Sequence, residues 1–316
     1  MPHLRVTPMA DMLLVELDLA LARCRMHCVF CPERYVTERA WDVPTRVVDE
    51  VLAEARALVA GDARRVYLES ADILEFPGFD ALVETFTADG RELLVATPGL
   101  RLADPDLVAR HAGRRVRFDL TLHGTTDATW EAMTGRADAR ALVEQALDHL
   151  VGAGVPVHVS MVVTDRNVHE LADTVRRAGA RWKLHDLSVK LFFPDTSPDG
   201  AGRHPGYLDQ FPDLEAVEAQ LRALAEAPDG LPRVDLYNLP FCQADEALLE
   251  RLGAYVLDCF NAYRGRALPQ CASCPVVEAC PGIHLRYLAK HRVRRPSHAK
   301  AVAVREGRAP EPVPQD

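Results

Sequence analysis

Short apolar runs alternate with amphipathic stretches along most of the chain. Residues 12–19 (Met-Leu-Leu-Val-Glu-Leu-Asp-Leu) read as a strand. Residues 44–60 read as a helix. Pro44 stands at its start, Val47, Val48, Val51, Leu52, Ala55, Leu58 and Val59 share one face, and Gly61 stops it. Further strands fall at 65–69, 92–96, 116–122, 155–163 and 186–193, with helices near 79–88, 104–112, 139–153, 167–179 and 213–227. This makes six strand–helix steps. Such alternation implies right-handed crossovers and a parallel sheet. Six units are too few to close an eight-stranded barrel, so the expected class is α/β, a partial (β/α)6 TIM-type barrel. Chemistry in such sheets gathers at the carboxyl ends of the strands.

The pattern also divides the chain. Residues 1–212 form the expected barrel core, ending in a Pro/Gly-rich connector at 195–212. A small Cys-rich unit is expected at 213–292, and 293–316, with Pro-Glu-Pro-Val-Pro and no apolar period, as a loose tail.

Composition narrows the function classes. With 48% hydrophobic and 26% charged residues, the chain reads as an ordinary soluble globular protein. No run approaches the roughly 18–20 apolar residues needed to cross a bilayer. The segment Met1 to Thr7 lacks the charged-then-apolar order of a signal peptide, so a cytoplasmic location without membrane attachment is expected. A net charge of −9 weighs against a dedicated nucleic-acid binder, whose phosphate contacts call for a basic face. The arginines between 286 and 295 read as a solvated basic helix end.

The cysteines change the picture most. Of eight, three lie within residues 24–31, none between 32 and 241, and five between 242 and 280. Cys28 and Cys31 are too close to staple anything useful, and a reducing compartment keeps thiols free, so metal ligation is the stronger account. Cys24-Arg-Met-His-Cys28-Val-Phe-Cys31 has Cys-x3-Cys-x2-Cys spacing. Three thiolates on one loop can each take one iron of a cubane and leave the fourth iron without a protein ligand. Zinc is the alternative, with His27 as a fourth ligand, although His27 sits directly between two of the others.

This segment resembles the signature of the radical S-adenosylmethionine (radical SAM) superfamily, including the aromatic Phe30 before the third cysteine, and so does its place after a first strand. The resemblance covers roughly residues 10–200. It implies a [4Fe–4S] cluster on Cys24, Cys28 and Cys31 whose open iron chelates S-adenosylmethionine. It further implies reductive cleavage of that sulfonium to a 5′-deoxyadenosyl radical, which takes a hydrogen from substrate. The family's Gly-Gly-Glu segment would correspond to Ser70-Ala71-Asp72, with Asp72 one methylene shorter than the glutamate that holds the methionine amino group. The other reading of Asp72 is a cap on the next turn. Phe30, His123, Ser160 and Lys190 would join these around the cofactor. His123 could equally be structural, Ser160 could bond a neighbouring backbone, and Lys190 could mark a sheet edge.

Downstream, Cys271-x2-Cys274-x5-Cys280 resembles the core of the SPASM and twitch auxiliary-cluster domains of radical SAM enzymes. The match departs from the full pattern: Cys259 lies one residue further from Gly253 than expected, and His284 stands where a cysteine belongs. Five cysteines suffice for one auxiliary [4Fe–4S] cluster, on Cys271, Cys274 and Cys280 with Cys259 or Cys242 as the fourth ligand. A structural zinc knuckle is the alternative. The resemblance implies a peptide substrate, an electron donor such as flavodoxin or ferredoxin, and a separate peptide-recognition protein, since only 23 residues precede Cys24. Competing readings are an oxidoreductase or cyclase acting on a small sugar, nucleotide or antibiotic precursor, and a zinc-binding scaffold without redox chemistry.

Overall fold

The structure, a computed structural model, describes residues 2–9, 12–31, 42–59, 63–192, 210–227, 229–243, 245–252, 255–257, 280, 282–283, 287–288 and 291. Its strands are β1 (Leu4–Met9), β2 (Met12–Leu17), β3 (Arg65–Glu69), β4 (Glu92–Ala96), β5 (Val116–Thr121), β6 (Val157–Val163), β7 (Asp186–Leu191), β8 (Arg233–Tyr237) and β9 (Tyr255–Leu257). They form one sheet in chain order, β1 antiparallel to β2 and every later pair parallel. The helices are α1 (Thr45–Leu58), α2 (Phe79–Thr87), α3 (Pro105–His111), α4 (Asp127–Thr134), α5 (Ala139–Gly152), α6 (Leu171–Trp182), α7 (Leu214–Glu226) and α8 (Glu246–Leu252). The result is the expected partly open parallel α/β barrel. No helix among the described residues is long and apolar enough to cross a membrane.

The sheet is longer than the periodicity suggests. β1 carries Pro8 and mixed polarity, which hides it, and it sits at the sheet edge, where a residue without an amide is tolerated. β8 and β9 continue the parallel sheet beyond β7. α4 is a helix that the periodicity does not predict, and Gly135 ends it in a left-handed conformation.

Burial separates the two faces of the sheet. Val15, Leu68, Val95, Phe118, Val159, Leu187 and Leu236 are fully buried or nearly so in one continuous core that includes the helices' apolar faces. Each such large side chain contributes about 1.5–3 kcal/mol relative to exposure. The alternate positions form the concave face, which carries the polar residues Glu16, Tyr67, Glu69, Asp119, Thr121, Ser160, Ser188, Lys190 and Tyr237 beside the apolar Leu14, Leu94, Ala96 and Val162. The β7 register pairs Lys190 with Val162 on one side and Tyr237 on the other, so Lys190 lies on an interior strand. This removes the sheet-edge reading of Lys190.

Candidate active site

The cysteine loop leaves β2 through a tight turn at Leu19–Leu21, capped by the Asp18 carboxylate. Met26 and Val29 are buried and root the loop in the protein, whereas Cys24, Cys28 and Cys31 are half-buried. The amide of Cys31 donates to the Cys28 carbonyl at 3.0 Å, closing a turn between the last two cysteines. The amides of His27 and Val29 donate to the carbonyls of Thr134 and Met133 at 2.8 and 2.9 Å, so the last turn of α4 holds the loop from outside. The loop thus stands at the carboxyl end of the first parallel strand, where the fold gathers its chemistry.

Phe30 reaches the ring of His123, 5.5 Å between centroids, and His123 rests edge-on against Trp130 at 4.7 Å. His123 is 1% exposed, and burial pushes its pKa down to about 3, so the imidazole is neutral. Its Nδ1 is buried and makes no hydrogen bond among the described residues. At the end of β3, Ser70 donates its hydroxyl to the Leu17 carbonyl at 3.2 Å, and Ala71 is half-buried beside it. Asp72 is fully buried. Its Oδ1 caps the turn at Ile73–Glu75 and accepts from the Thr97 hydroxyl, while Oδ2 is buried without a hydrogen-bond partner. The capping role and a vacant oxygen therefore coexist on one carboxylate. Burial raises its pKa to about 7 against the opposing Thr97 hydrogen bond.

Ser160 is 4% exposed, with its hydroxyl 3.4 Å from that of Thr121 on the neighbouring strand. The Ser160 hydroxyl thus meets a side chain rather than backbone. Deeper polar residues carry no motif and escape sequence reasoning. Glu16 and Glu69 are opposite one another in the β2–β3 ladder, and burial together with the Glu16 charge raises Glu69 to about 7. Lys190 acts on Glu69 in the opposite sense, which places both on the concave side. The Tyr67 hydroxyl donates to Asp119 at 3.2 Å. Burial, then Asp119, raises the Tyr67 pKa well above its ordinary value. The only signal available was polar residues at alternate positions of otherwise apolar strands.

Cys242 lies in a short turn after β8, and Cys280 near Gly282, whose amide approaches the Cys280 sulfur at 3.4 Å. Cys259, Cys271 and Cys274 fall outside the described residues. Ile283 and Tyr287, just beyond Cys280, pack in a small apolar cluster with Phe192 and Phe211, against which Phe30 also rests. The C-terminal segment and the first cysteine loop thus meet at one side of the barrel mouth. Among the described residues, Cys24, Cys28 and Cys31 included, no three or more His, Cys, Asp or Glu side chains form a group that could hold a single metal ion.

The first trio suits an iron–sulfur cluster in donor chemistry. Burial, then Asp72, pushes the Cys24 thiol up to about 12, with Cys31 and Glu75 adding to the rise. At that value Cys24 by itself is a neutral thiol, and a cluster bound there would have to displace its proton. A sequence model of the radical SAM superfamily matches residues 21–178, half of the chain. The chain belongs to the radical SAM superfamily. Membership implies a [4Fe–4S] cluster and S-adenosylmethionine, and makes the protein a radical SAM enzyme rather than a zinc scaffold. No curated protein matches it in sequence.

Solved structures of radical SAM enzymes share the fold. Streptococcus suis SuiB bound to S-adenosylmethionine aligns at a TM-score of 0.52 and 12% identity, over 89% of this chain and 74% of that one. Native anSMEcpe with bound AdoMet aligns at 0.51 and 13%, over 80% and 70%. SuiB bound to the precursor peptide SuiA aligns at 0.50 and 14%, over 70% of this radical SAM chain but only 46% of that protein.

Proposed function

We propose that this radical SAM enzyme holds its [4Fe–4S] cluster on Cys24, Cys28 and Cys31 and abstracts a hydrogen from a peptide inside the barrel. When bound, the cluster and S-adenosylmethionine supply a 5′-deoxyadenosyl radical by one-electron reductive cleavage. The chain's own residues position and shield. Phe30 and the neutral His123 wall the cofactor side, Ser70 and Ala71 let backbone approach, and the open Asp72 oxygen receives the methionine ammonium. Ser160 and Lys190 face the same interior from β6 and β7. The observation that carries this reading is the trio's position at a strand's carboxyl end, above a polar concave face.

The peptide assignment draws support from the fold shared with peptide-bound SuiB. An auxiliary [4Fe–4S] cluster in the 213–292 unit, on Cys271, Cys274 and Cys280 with Cys259 or Cys242, extends the proposal in the manner of SPASM and twitch domains. Flavodoxin or ferredoxin would deliver the electron, and a separate recognition protein would present the peptide. A second reading is favoured by the concave face itself. Glu16, Glu69, Asp119 and Lys190 suit a small polar sugar, nucleotide or antibiotic precursor.

Anaerobic reconstitution tests the core. One cubane gives about four iron per chain and two give about eight. Reductant and S-adenosylmethionine should then yield 5′-deoxyadenosine. Colourless protein that yields none would end the proposal. Deuterium carried into 5′-deoxyadenosine from labelled peptides or from labelled small molecules decides between the substrate classes.

A further inference from the structure

The loop that carries Cys28 is held by α4, and α4 is held at its other end by one carboxylate. Glu170 lies in the connection between β6 and α6 and is 7% exposed. It accepts five hydrogen bonds from the start of α4: from the amide and hydroxyl of Thr125, the amide and hydroxyl of Thr126, and the hydroxyl of Thr129. These amides are donors that the helix itself leaves unpaired, and a carboxylate is favoured at that end of the helix. Burial alone would raise the Glu170 pKa, but the bonds from Thr126, Thr129 and Thr125 outweigh it and hold it at about 2. The carboxylate is therefore charged throughout the working pH range.

The rest of the connection is equally constrained. Asn167, fully buried, donates to the carbonyls of His123 and Val162 at 3.0 and 2.9 Å. Gly124 lets the β5 loop pass the carboxylate; a Cβ there would stand 2.6 Å from Glu170 Oε2. The Trp130 indole donates to the Gly124 carbonyl at 2.9 Å, locking the first turn of α4 onto the same loop. At the far end, Gly135 takes a left-handed conformation (φ 67°), and its missing side chain leaves room for His27. The two carbonyls before it then point at the amides on either side of Cys28.

We infer that Glu170 is a positioning residue for the cluster loop, acting through α4 as a strut that sets the backbone around Cys28. Glu170 itself touches neither the cysteines nor the concave face. The inference takes the Cys24–Cys31 loop as the seat of the cluster, as proposed above. Thr129 and Met133 lie four positions apart in α4, about one helical turn, so a shift at one end is carried to the other by rigid helix.

Hydrogen–deuterium exchange on the metal-free chain tests the strut independently of the cluster. In Glu170→Ala, exchange across residues 24–31 should speed about tenfold or more while β3 and β4 keep their protection. Unchanged exchange across 24–31 would overturn the inference. Should Glu170→Ala loosen the whole barrel, Glu170→Gln, which keeps the bulk but cannot accept at both positions, decides by the same comparison. The second readout is the electron paramagnetic resonance spectrum of the reduced cluster. Glu170→Gln with full iron content should show a diminished spectral response to added S-adenosylmethionine, and an unaltered response would also overturn the positioning role. If the wild-type chain takes up no iron, the reading of the loop fails, while the exchange comparison still decides the strut.

Discussion

The Thr97 hydroxyl donates to the Asp72 carboxylate at 2.8 Å across the carboxyl ends of β3 and β4. The same hydroxyl accepts from the amide of Gly99, whose left-handed φ of 84° turns the chain back at that point. One oxygen of Asp72 is thus occupied by Thr97 and the Leu74 amide, and the other is buried without a hydrogen-bond partner.

Thr97→Val should therefore weaken S-adenosylmethionine binding by about tenfold, because a hydrogen bond to a charged group is worth ~1.5–3 kcal/mol and ~1.4 kcal/mol is a factor of ten. Iron content should not change. Anaerobic calorimetry on reconstituted protein measures this, and equal affinity in the two proteins would remove Asp72 from the cofactor contacts.

The two cysteine groups separate by their products. Cys28→Ala should abolish 5′-deoxyadenosine, whereas Cys274→Ala should retain part of it, uncoupled from substrate turnover. Wild-type levels of 5′-deoxyadenosine from the Cys28 variant would refute the first assignment.

Glu69 makes stability depend on pH. Its folded pKa of about 7 lies above the ordinary glutamate value of 4.5. Between these limits the folded protein keeps a proton that the unfolded chain has released, so stability falls as pH rises through that window. Glu69→Gln removes the charge that causes the loss. The variant should melt with the wild type near pH 4 and several degrees above it at pH 8, a gain on the order of 1–3 kcal/mol. A melting difference independent of pH would contradict this account.

Gly179 marks where α6 meets the chain entering β8. A Cβ there would lie 2.3 Å from the Gly230 carbonyl oxygen, which is backbone and cannot rotate away. Gly179→Ala should cost about 1–3 kcal/mol, read as a lower denaturation midpoint at an unchanged slope. A midpoint equal to that of the wild type would show that the β8 approach is free to shift.

Much of this was legible in the sequence because it rests on local rules. Strand β3 at 65–69, strand β4 at 92–96 and helix α5 ending at Gly152-Ala153-Gly154 follow from side-chain periodicity and chain punctuation, which act over a few residues. The cysteine trio is legible for the same reason, since its spacing lies within one loop.

What the sequence by itself determined is the alternating α/β architecture and the family, both carried by patterns short enough to read along the chain. Only the tertiary structure decided what faces what. It set Lys190 on an interior strand within electrostatic reach of Glu69, joined β8 and β9 to the barrel, and hung the Cys28 loop on carbonyls more than a hundred residues away. Such pairings depend on how strands curve and stack around a shared core, a cooperative outcome of packing that no local window contains.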